Sequence, residues 1–155
     1  MVFKLLKKKN YLAMIQNAAN GQNWMFRNLF VEDGGQVKDI LNDGRWSCAV
    51  FVSSILYLNK LIKDVHANVD STVRDMIASG WHEIKDLRSG AVIVWKKKSA
   101  QDDGQMHGHI GFFVGNDMAI SNDSGGTGFP REHDPTFNGT REVDKILWHP
   151  DLDIE

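Results

Sequence analysis

Cysteine is nearly absent from this 155-residue chain: Cys48 stands alone, so no internal disulfide can form. A lone thiol suits a reducing compartment, or an enzyme that needs its sulfur free. No stretch approaches the roughly 20 apolar residues of a membrane span. The opening segment MVFKLLKKKNYLAMIQNAAN lacks both the apolar run of about 7–15 residues and the small-residue cleavage site of a secretory signal. The expectation is therefore a soluble chain with no membrane span. The same reading expects a cytoplasmic location as synthesised and leaves release by lysis, a phage or a dedicated machine open. A strong excess of either charge sign is missing too: 18 Lys and Arg stand against 20 Asp and Glu, a formal net charge of −2. That balance gives no reason to expect nucleic acid as a partner. Repeats, low-complexity tracts and linkers are also lacking, so residues 1–155 read as a single domain. Hydrophobic residues at 42% and charged residues at 25% exclude disordered and collagen-like classes.

The first half of the chain reads helical. Leu12, Ile15 and Ala19 mark an N-terminal helix interrupted near Gly21. A second helix is predicted from Ser47, a suitable N-cap, to about Ile62, with Phe51, Val52, Ile55, Leu58 and Ile62 as its apolar stripe. A third should run from Ser71 or Thr72 to Ser79 and be closed by Gly80. After Leu87 the pattern changes. Ala91–Trp95, His109–Val114, Met118–Asn122 and Val143–Trp148 read as strands, and Ser124–Thr140 as a long surface loop. Helices first and strands afterwards predict an α+β domain with N-terminal helices packed on an antiparallel sheet.

Two residues anchor the candidate chemistry. Cys48 falls just inside the second helix, where free N–H groups and the positive end of the helix dipole favour a thiolate. Its own N–H could join an oxyanion hole. His109 opens a strand whose alternation puts His109, Gly111 and Phe113 on one face, and His107 joins them if the strand extends back. With Asn116-Asp117 as a two-residue turn, Gly115 pairs with Met118, Phe113 with Ile120 and Gly111 with Asn122. Asn122 then shares the face of His109 and could orient its ring, while Ser121 points the other way. A longer turn would exchange Asn122 and Ser121, and a bulge would bring in Asp123. Trp46 and Ser47, beside the nucleophile, and His107 are the candidate substrate contacts. His107 and His109, with Asp102 and Asp103 nearby, resemble a metal pair only superficially. With one cysteine and no H-E-x-x-H, neither metal nor another cofactor is expected.

Ser47-Cys48-Ala49-Val50-Phe51-Val52 at a helix start resembles the nucleophile helix of the NlpC-type and CHAP-type cell-wall cysteine peptidases. Leu87–Trp95 resembles their "pGDvv.W" strand, and His109–Gly115 their "HvGiyvG" strand, in family order across about residues 44–123. The chain departs from the family at Ser47, where an Asp is usual, at Ala91, and at the third polar position, usually a histidine. It also has Phe30 in place of a tyrosine before the nucleophile. The resemblance implies a papain-like fold and a triad of Cys48, His109 and a polar residue, here Asn122. It further implies hydrolysis of amide bonds, commonly in peptidoglycan stem peptides. A non-catalytic binding or effector module on the same fold, and a protease or deamidase acting on protein, are the alternative expectations.

Overall fold

A computed structural model describes residues 1–100 and 103–154. Among these, helix α1 covers Lys7–Ala18, α2 Cys48–Leu58 and α3 Val69–Ala78. Strands β1 (Phe30–Asp33) and β2 (Gln36–Asp39) form a separate hairpin whose turn is Gly34-Gly35. The remaining strands are β3 (His82–Ile84), β4 (Val92–Ser99), β5 (Met106–Gly115), β6 (Met118–Asn122), β7 (Pro130–His133) and β8 (Val143–Trp148). They make one antiparallel sheet in the order β3-β8-β4-β5-β6-β7. The expected α+β class, with helices on an antiparallel sheet, is the architecture found.

The sheet's centre is apolar on both faces, and the β-branched run of β4 shows why. Val92 and Val94 join Ile110, Phe112 and Ile120 under the helices, packed on Phe51, Val52 and Ile55 of α2. Ile93 and Trp95 turn to the opposite face, where Phe113, Ala119, Phe137 and Val143 close a smaller cluster. Strand alternation thus divides one continuous hydrophobic run between two cores. Helix α2 is buried along most of its length, as a central helix must be. It ends at Leu58 rather than Ile62 because Lys60 takes a positive φ of 56°, which lets the Leu61 N–H return to the Leu56 carbonyl at 2.9 Å. Helix α3 starts earlier than expected because Asn68, not Ser71, is its cap: the Asn68 side chain accepts from the Ser71 N–H at 2.8 Å.

The stretch expected as one long loop contains β7, which pairs Ser121 with Arg131 and Ala119 with His133. That pairing brings His133 over the sheet beside His109. No helix among the described residues is long and apolar enough to cross a membrane.

Candidate active site

Cys48 is the first residue of α2 and only 8% exposed. Burial pushes its thiol up from the ordinary value, against the backbone N–H groups of Ile110, Ala49 and Cys48 itself and the positive charge of Arg141. The helix start alone suggests a thiolate; the buried position outweighs it, so the resting sulfur is a neutral thiol. The Ile110 N–H that reaches Cys48 belongs to the residue after His109, which places the sulfur against that part of β5. Cys48 and His109 line one cavity of about 620 Å³, together with Trp46, His107, Ser124 and Arg141.

The hairpin register differs from the expected one. The turn is at Asn116-Asp117, both at positive φ, and Gly115 does pair with Met118. A bulge between Phe113 and Gly115 then shifts the pairing by one residue, so Phe113 faces Ala119 and Gly111 faces Ser121. A one-residue shift exchanges the faces of a strand. Ser121 therefore takes the place expected for Asn122, and its Oγ lies 2.9 Å from His109 Nε2. Asn122 points to the other face, where its Nδ2 donates to the Gly44 carbonyl at 2.7 Å and to Ser124 Oγ at 2.9 Å. Its buried Oδ1 has no hydrogen-bond partner among the described residues. Asp123 turns back on its own loop, accepting from the Thr127 N–H at 2.8 Å.

Beyond Ser121 the network continues. Ser121 Oγ is 2.7 Å from His133 Nε2, and His133 Nδ1 is 2.7 Å from the Asp134 carbonyl oxygen. That carbonyl can only accept, so His133 Nδ1 carries a proton. Burial lowers His133 from its ordinary value, so at neutral pH its Nε2 is a bare acceptor. Ser121 must then donate its hydroxyl proton to His133 and accept from His109 Nε2–H. Each link fixes the next, and the outcome is a neutral His109 whose Nδ1 lone pair is free. Burial first, then the charges of Arg141 and His133, hold His109 down at about 3. Trp95 and Phe137 pack against the same ring, with centroids 5.2 and 5.6 Å away.

The cavity walls are partly as expected. Strand β5 does extend back past His107, whose ring stacks on Trp46 at 4.3 Å and whose Nε2 lies 2.7 Å from Asp103 Oδ2. Ser47 does not line the cavity. It is fully buried and its Oγ is 3.5 Å from the Arg27 carbonyl, because successive helix-start residues point about 100° apart and Cys48 takes the cavity side. Arg141, in the segment before β8, belongs to no recognisable sequence motif. Its Nη2 donates to the His107 carbonyl at 2.9 Å and its Nε to the Lys96 carbonyl at 3.3 Å.

No group of three or more His, Cys, Asp or Glu among the described residues could hold a metal ion. Asp102, considered beside His107 and His109, lies outside the described residues. The arrangement brings together a thiol, a base with a fixed tautomer and a cation at one cavity. No protein-family model and no curated protein sequence matches the chain, so any assignment of chemistry starts from that geometry.

Proposed function

We propose that the chain is a papain-like cysteine hydrolase that cleaves amide bonds through an acyl-enzyme, with peptidoglycan stem peptides as its substrate. The observation that carries this reading is the hydrogen-bonded series that leaves the Nδ1 lone pair of His109 unengaged, in a residue that lines the same cavity as Cys48. The resemblance of residues 44–123 to cell-wall peptidases supplies the substrate class. The resting pair is neutral. As Sγ attacks the carbonyl carbon, its proton passes to His109 Nδ1, and the Cys48 N–H stabilises the developing oxyanion. The imidazolium gives that proton to the departing amine. His109 then takes a proton from water, which attacks the thioester and releases the acid and the Cys48 thiol. Ser121 and His133 hold the ring throughout, the orienting role of the third group in a triad.

Purified peptidoglycan incubated with the protein should yield new amino termini, detected by chromatography and mass spectrometry, and Cys48→Ala should yield none. Hydrolysis that survives in Cys48→Ala would sink the reading. The base must be neutral, and His109 remains neutral down to about 3. The acidic limb of kcat/KM should therefore lie well below the pH of about 6.5 given by an ordinary histidine base.

A second reading, a binding module on the same scaffold, draws on the burial that raises the Cys48 thiol. It expects wild type and Cys48→Ala to bind peptidoglycan equally and neither to cleave it.

A further inference from the structure

Arg141 stands in the same cavity as the nucleophile without a carboxylate beside it. Two backbone carbonyls, of His107 and Lys96, hold its guanidinium in place. They orient the fork without neutralising it. Among the described residues no acidic side chain pairs with Arg141, and its remaining nitrogen, Nη1, has no hydrogen-bond partner. The side chain is also half-buried, and a cation withdrawn from water is costly unless an anion meets it. The neighbouring lysines differ. Lys97 and Lys98 are exposed, and Lys97 is already paired with Asp70 at 3.4 Å. Arg141 thus offers a fixed, planar, unneutralised donor set to whatever enters the cavity of Cys48.

We infer that Arg141 is the specificity-determining residue of this cavity and binds a carboxylate of the substrate, so that the amide cleaved carries a free carboxylate close to the scissile carbonyl. The inference rests on the hydrolase reading for its link to cleavage, but carboxylate binding itself needs no turnover. A planar carboxylate suits the guanidinium fork, which can grip both oxygens. Burial lowers the Arg141 guanidinium from its ordinary value and the Cys48 sulfur opposes that shift, so the cation stands within electrostatic reach of the nucleophile.

Two probes of equal size separate charge from shape: N-acetylglycine and N-acetylglycinamide. Nitrogen-15 NMR titrations of the folded protein, following the backbone amide signals of cavity residues such as Ala49, His107 and Gly108, should give the acid a Kd at least about tenfold below that of the amide. Arg141→Gln should reduce the difference to less than about twofold, and Arg141→Lys should keep part of it. If Arg141→Gln fails to fold, the wild-type comparison and Arg141→Lys still decide. Equal affinity for the two probes in wild type overturns the inference, as does a preference that persists in Arg141→Gln and must belong to the other cations lining the cavity, Arg45, Lys97 and Lys98. Preference for the acid without Cys48-dependent hydrolysis of peptidoglycan would keep the carboxylate site and remove the hydrolase. Hydrolysis without that preference would do the reverse.

Discussion

Ser121 and Asn122 are neighbours in sequence with separate tasks in the structure, and single substitutions can tell them apart. Ser121 Oγ bridges His109 and His133. Ser121→Ala leaves the buried His109 nitrogen and the part-buried His133 nitrogen facing an inert methyl, at a cost of about 1–3 kcal/mol for the buried group. It also frees His109 to adopt the other tautomer, with its proton on Nδ1, which cannot accept from a thiol. Turnover should fall at least about tenfold, the limit being about 10⁴ for a wholly misplaced tautomer. Asn122→Ala removes the donor to the Gly44 carbonyl and should cost a similar 1–3 kcal/mol or so in stability. The network that holds the His109 tautomer is untouched by that change, so the pH profile of kcat/KM should keep its shape. Urea midpoints and pH–rate profiles of the two variants give the comparison. A Ser121→Ala variant with wild-type kcat would remove Ser121 from the orienting role.

At the level of elements, what puts Ser121 there is the close approach of β5 and β6 at Gly111. A Cβ on Gly111 would lie 2.7 Å from Ser121 Cβ, 2.8 Å from the Ile120 carbonyl oxygen and 3.0 Å from the Trp95 ring. Two of these three are backbone or the base of a side chain and cannot swing aside. Gly111→Ala should therefore force the strands apart, cost about 1–3 kcal/mol in urea unfolding and lower turnover as Ser121 moves off His109. Full activity in a Gly111→Ala variant would mean the sheet absorbs the methyl elsewhere. The same strands show where sequence reading succeeds and stops. Strands β4, β5, β6 and β8 are legible because apolar and β-branched residues must fill both cores. Strands β3 and β7 are not: His82-Glu83-Ile84 and Pro130-Arg131-Glu132-His133 are short edge segments without a buried alternating face. The turn at Asn116-Asp117 is written in its residue types, which tolerate positive φ. The bulge beside it is not, since Val114-Gly115 fits either register, and so Asn122 rather than Ser121 is expected on the His109 face. Arg141 and His133 sit in polar segments whose positions depend on pairings distant in sequence.

For the whole molecule, burying neutral histidines ties stability to pH in a direction the site itself fixes. His109 titrates near 6.5 when unfolded and at about 3 when folded, and His133 is shifted the same way. Between those values the unfolded chain binds more protons, so stability falls as pH drops from about 6.5 toward about 3 and is fully present above that window. Carboxylates act in a lower range. Asp75, despite burial that opposes it, is held at about 2 by His66, the Lys63 and Asp64 N–H groups and Ser79. Asp39, also against its burial, is held at about 2 by the N–H groups of Leu29, Asp43 and Leu41 and by Asn28. Their contribution is present above the unfolded carboxyl value of about 3.9 and lost only as pH falls below it. Loss of stability between pH 7 and pH 4.5 is then mainly a histidine effect. Urea midpoints of the wild type should decline across that interval, and those of His109→Gln, which keeps a donor for Ser121 but cannot take up the proton, should decline less. The difference in slope is the readout, whatever the variant's absolute stability. Equal slopes would mean that His109 gains its proton as easily folded as unfolded. Its imidazole would then be open to water, and the acidic limb of kcat/KM would move back toward 6.5.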